Sequence, residues 1–153
     1  MIQRIQTLFL LIAAALMGVL CFVPFASFLW EGEVFRQTVW GVQAISENAS
    51  VENFGTIPMG ILTLLSAVLP LVTIFLYKHR GLQMRLCIVE IVLLLGVSVY
   101  MAMYLFRSSS EITDKVVFSV VDLFPILAMF LSFLAFKRIM KDHLLVKSLD
   151  RIR

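Results

Sequence analysis

The chain has 153 residues, 61% of them hydrophobic and only 15% charged, with a formal net charge of +3. Soluble domains run about 45–50% apolar and about 25% charged, so this composition excludes an ordinary water-soluble domain. The positive charge gathers in short segments that flank apolar runs rather than along one face. That pattern excludes a phosphate-reading nucleic-acid surface and points to orientation in a membrane.

A short start carrying Arg4 leads into the apolar run Leu8–Trp30. The arrangement has the look of a secretory signal, but the run is longer than an h-region and no Ala-x-Ala-like cleavage site follows. Leu20 also stands where a lipoprotein signal carries a small residue before its cysteine, here Cys21. The expectation is a retained first span over residues 8–28, with Ala14 and Gly18 allowing close helix approach and Pro24 bending its outer end.

Residues 31–55 change character, carrying Glu31, Glu33, Glu47 and Glu52 against Arg36. Val34–Val42 is rich in β-branched and aromatic residues, with Trp40-Gly41 as a turn signal, which suggests a small β-hairpin over the outer helix ends. The competing reading is an amphipathic segment with Trp30 and Trp40 at the lipid interface. Asn48-Ala49-Ser50 matches a glycosylation acceptor, a triplet that recurs often by chance.

The second span is expected over residues 57–77, with Pro58 in its first turn. Gly60, Thr63, Ser66, Ala67, Pro70 and Thr73 recur at three- and four-residue intervals, so this small and polar stripe should face other helices. Pro70 removes one hydrogen bond in mid-span. The basic turn that follows, with Lys78, Arg80 and Arg85, is short enough to force the runs on either side to lie antiparallel. A third span over 86–106 ends in Tyr100 and Tyr104, and a polar connection, 107–115, leads to a fourth span over 116–136.

Counting cations orients the chain. Arg4, Lys78, Arg80, Arg85, Lys137, Arg138, Lys141, Lys147, Arg151 and Arg153 fall on one side, and Arg36, Arg107 and Lys115 on the other. The bias places both termini in the cytoplasm. The tail, 137–153, reads either as a basic amphipathic helix on anionic head groups or as an extension of the fourth span. The fold class is therefore an all-α membrane protein: one four-helix transmembrane bundle, N-in and C-in, with the hairpin in its first outer loop and a cytoplasmic C-terminal helix. Cys21 and Cys87 fall near opposite faces, beyond the roughly 4.4–6.8 Å Cα separation of a disulfide.

Three stretches carry a family resemblance. Met1-Ile-Gln-Arg-Ile-Gln6, the central Phe75-Leu-Tyr-Lys-His-Arg-Gly-Leu-Gln-Met-Arg-Leu-Cys87, and Lys141-Asp-His-Leu-Leu-Val-Lys-Ser-Leu-Asp-Arg-Ile-Arg153 resemble the bacterial membrane family catalogued as domain of unknown function 4293. His79, Gly81 and His143 depart from the commoner polar or charged residues at those places. The resemblance implies an inner-membrane location and carries no activity, ligand or catalytic residue with it.

Two carboxylates fall within expected spans, where ionisable groups are costly and mark candidate sites. Glu90 is placed roughly 7 Å inside the cytoplasmic end of the third span and Asp122 roughly 9 Å inside the outer end of the fourth. They are too far apart in depth to share a proton, so each needs its own partner. Thr73, Ser132, Arg85 and Lys137 are within reach of Glu90's level, and Tyr100, Ser119 and Lys115 within reach of Asp122's. Such groups either fasten helices together or handle protons and ions. His79 and His143 read as solvated rather than as metal ligands. No nucleophile elbow, Walker sequence or dinucleotide fingerprint is present. The expectation is a non-enzymatic accessory or assembly subunit with no cofactor or metal, whose partners are the lipid bilayer and other membrane proteins or itself. The alternative is a small oligomeric proton- or ion-coupled carrier using Asp122 and Glu90.

Overall fold

Apolar periodicity dominates the folded chain. Four helices, α1 (Gln3–Leu20), α2 (Ile57–Phe75), α3 (Arg80–Glu111) and α4 (Phe124–Asp150), pack side by side beneath a small sheet. The strands are β1 (Ala26–Trp30), β2 (Glu33–Thr38), β3 (Gly41–Ala44) and β4 (Val116–Phe118). The structure, a computed structural model, describes residues 3–30, 33–44, 57–77, 79–111 and 116–150. The acceptor triplet at 48–50, Glu47 and Glu52, and the cations Lys78, Lys115, Arg151 and Arg153 lie outside those residues.

Each helix buries one stripe at three- and four-residue spacing, as a helix with a single inward face must. On α1 the stripe is Gln6, Leu10, Ala13, Met17 and Leu20, and on α3 it is Gln83, Cys87, Glu90, Leu94, Val97 and Met101. On α2 the buried set is Met59, Gly60, Thr63, Ser66, Ala67, Pro70 and Thr73, the expected small and polar stripe with one more apolar member. Ala128, Ser132, Ala135 and Ile139 complete the interior from α4. The outward faces carry large apolar residues instead, among them Leu64, Val68, Val92, Leu95, Leu127 and Phe130.

Two core clusters fix the helix directions. One joins Leu10, Cys87, Ala135 and Ile139, with Ile74 packed against them. The other joins Met17 and Leu20, Met59 and Ala67, Leu94 to Met101, and Ala128 with Phe25 and Val39. Early residues of α1 and α3 therefore meet late residues of α2 and α4, so the helices run alternately up and down. Each helix packs on two neighbours, α1 and α3 both touching α2 and α4. The α2–α3 hinge spans only residues 76–79, as the basic turn requires.

Three of the four helices contain stretches long and apolar enough to cross a membrane: Ile57–Phe75, Gly81–Phe106 and Val120–Leu145. The apolar part of α1, Ile5–Leu20, is shorter. Here the expected first span over 8–28 needs correction. The helix stops at Leu20, and Ala26–Trp30 is a strand. Pro24 explains the break, because it has no N–H to donate and disfavours helical geometry in the residue before it.

The hairpin forms and is part of something larger. β2 and β3 pair antiparallel with Thr38 opposite Gly41, leaving Val39 and Trp40 as the turn, and the Thr38 hydroxyl donates to the Gly41 carbonyl at 2.8 Å. The sheet order is β3-β2-β1-β4. Its last strand revises the fourth span, since Val116–Phe118 pairs with Ala26–Phe28 rather than beginning a helix. A 3-10 turn, Val120–Leu123, follows before α4 starts at Phe124. From there α4 continues unbroken to Asp150, so residues 137–150 extend the fourth helix and do not form a separate one. The third helix likewise outruns its expected bounds of 86–106, reaching from Arg80 to Glu111.

Candidate functional site

Glu90 is the most buried carboxylate among the described residues, 1% exposed, and neither of its oxygens has a hydrogen-bond partner. The α3 stripe places it there, one turn beyond Cys87 and one turn before Leu94. Ser132, fully buried on α4, also has a hydroxyl with no partner. Thr73 is buried as expected, but its hydroxyl donates to the Leu69 carbonyl of its own helix at 2.8 Å. Arg85 and Lys137 lie on exposed faces, and the Lys137 ammonium sits 5.4 Å from the centre of the Phe133 ring. Neither cation bonds Glu90.

Asp122 sits differently from its expected place one-third of the way down a spanning helix. It belongs to the 3-10 turn that precedes α4, where it closes a capping box: the Ser119 N–H donates to Asp122 Oδ2 at 3.2 Å and the Val121 N–H to Ser119 Oγ at 3.5 Å. Reciprocal capping of this kind satisfies donors that the start of a helical turn otherwise leaves open. Asp122 Oδ1 is buried without a partner. Tyr100 stacks on Tyr104 with ring centres 5.6 Å apart.

The end of the molecule that holds Asp122 is closed by contacts to main-chain carbonyls. The Trp40 indole N–H donates to the Cys21 carbonyl at 2.8 Å, and the Trp40 ring covers Gly60 so closely that a Cβ there would stand 2.6 Å from it. Phe25 N–H donates to Gln37 O at 2.9 Å, and Ser119 N–H to Phe25 O at 3.3 Å, which stitches the strands to the 3-10 turn. Cys21 and Cys87 are both free and buried.

Three buried polar residues escaped the sequence reading: Gln6, Gln37 and Gln83. Gln6 and Gln83 each stand four residues before a core position, Leu10 and Cys87, so helical spacing alone marked them as inward. Gln6 Nε2 and Gln37 Oε1 have no partner. The expected head-group and topology residues fall at one end of the helices where described: Arg4 opens α1, Arg80 and Arg85 open α3, and Arg138, Lys141 and Lys147 lie in the second half of α4 with Lys137.

Comparison with curated proteins returns no significant match. The family profile described as a domain of unknown function does match, over residues 2–152, essentially the whole chain. The chain belongs to the DUF4293 family.

Proposed function

We propose that the protein is a multi-pass protein of the bacterial inner membrane, with all four helices crossing and both termini cytoplasmic, acting as a non-enzymatic accessory or assembly subunit of a membrane complex. One observation carries the membrane reading: large apolar side chains cover the outer helix faces, while several polar ones lie inside. Thr63, Ser66, Thr73, Glu90 and Ser132 are inside, while Val92 is 64% and Phe130 59% exposed. Exposed apolar surface on this scale is costly in water and free of cost in lipid. α1 is 18 residues, about 27 Å at the helical rise, close to a hydrocarbon core of about 30 Å. The ten-to-three division of cations supports the orientation.

The accessory role draws on the close-packed small residues of α2 and on the basic cluster at one end, which offers a surface for anionic lipid or acidic protein segments. Purification from native membranes in mild detergent tests it. A stoichiometric membrane partner that survives salt washing is the expected result, and recovery of the chain alone at every detergent strength counts against the role. A reporter fused after Arg153 tests the threading; activity confined to the periplasm reverses it. The second reading, a proton- or ion-coupled carrier, is favoured by Glu90, a buried carboxylate with no protein partner. Absence of substrate or proton flux in vesicles would remove it.

A further inference from the structure

We propose that the interior layer around Glu90 binds a monovalent hard cation, with Na+ as the probe. Helical spacing and the two core clusters define the layer. Glu90 lies between Cys87 of the lower cluster and Leu94 of the upper one, and Ser132 lies between Ala135 of the lower and Ala128 of the upper. The two residues therefore stand level across the α3–α4 seam. On α2, Pro70 occupies the same level, between Ala67 of the upper cluster and Ile74 against the lower. Pro70 has no N–H, so the Ser66 carbonyl one turn back loses its usual helical partner at this depth.

The layer thus gathers oxygens that make no hydrogen bond with one another. Both Glu90 carboxylate oxygens and the Ser132 hydroxyl are buried without hydrogen-bond partners. Either a proton or a bound cation can neutralise this acid, and the unpaired oxygens around it suit the cation. A bare carboxylate in a dry interior is strongly disfavoured, and a cation bound beside it removes that cost. The nearest cationic side chains in sequence, Arg85 and Lys137, are turned outward. Carboxylate, hydroxyl and carbonyl oxygens form the ligand set that hard cations prefer. Among the described residues no three of His, Cys, Asp or Glu converge, and one carboxylate balances one positive charge. Unwound or broken helices with freed carbonyls hold Na+ in membrane proteins by the same chemistry. The site ties α2, α3 and α4 together under either functional reading.

The test is thermal unfolding of the full-length protein in detergent, in NaCl against choline chloride at equal ionic strength, with equilibrium binding of radioactive Na+ alongside. Saturating Na+ is expected to raise the wild-type Tm by on the order of 5 °C. Glu90→Gln, which keeps shape and removes charge, should abolish both the shift and the binding. Ser132→Ala should keep the shift but require several-fold more Na+. A wild-type Tm equal in the two salts, or a shift that persists undiminished in Glu90→Gln, overturns the proposal.

Discussion

At the strand-capped end of the molecule, some polar side chains meet the main chain, while Gln37 Oε1 and Asp122 Oδ1 are left unpaired. Trp40 reaches the Cys21 carbonyl, and Asp122 accepts from Ser119. Between the two core clusters, the Glu90 carboxylate and the Ser132 hydroxyl make no hydrogen bond. The two carboxylates differ because their backbones differ. Turns and strand ends leave N–H and C=O groups over, and those serve as partners. A helix spends its N–H groups on itself. A hydroxyl there can still share a carbonyl of its own helix, as Thr73 does, but a carboxylate must find another side chain or an ion. What decides whether an acid deep in such a protein is structural or reactive is therefore the regularity of the chain around it.

That contrast is open to experiment, most strongly at Phe25. This fully buried ring joins the sheet to the helix core, and Phe25→Ala should cost about 3–5 kcal/mol in denaturant unfolding in detergent. A cost below about 1 kcal/mol would show that the capped end is not integral to the core. Gly60→Ala comes next. Its new methyl would press on a Trp40 ring held in place by its hydrogen bond, at about 1–3 kcal/mol. If Trp40→Phe fails to relieve the loss, ring contact is not its cause. Ser119→Ala removes the capping hydroxyl and should cost about 1 kcal/mol, with no change in Na+-dependent stability, since the cap lies at the opposite end from Glu90. The smallest effect is at the uncapped end, where Lys137→Ala removes only a surface contact with Phe133. Loss there should stay under about 1 kcal/mol, and a larger one would reveal an undetected tie.

Much of this was readable from residues alone. The α2 stripe, the tight basic hinge and the antiparallel run of helices follow from spacing and hinge length. The strands flanking the first and fourth helices were not readable in the same way. Ala26-Ser27-Phe28-Leu29-Trp30 is as apolar as a span, and only its pairing with Glu33–Gln37 and Val116–Phe118 makes it extended. Asp122 was displaced in the reading for the same reason, because a 3-10 turn takes the place of the expected helix around it. Glu90 was legible as an outlier in an apolar run, and its neighbour Ser132 by level. Its lack of a side-chain partner was not legible, since Thr73 had a carbonyl of its own helix within reach.

The pairing of Ala26–Phe28 with Val116–Phe118 joins the segment after the first helix to the segment before the last. A strand pair so remote in sequence forms only once the chain has been made past Phe118, and its loop closure is slow. During synthesis the rim beside Ala26–Phe28 therefore stays open until the strand Val116–Phe118, made just before the last helix, closes it. Truncation ahead of Val116 should leave a chain that inserts yet never completes its lid.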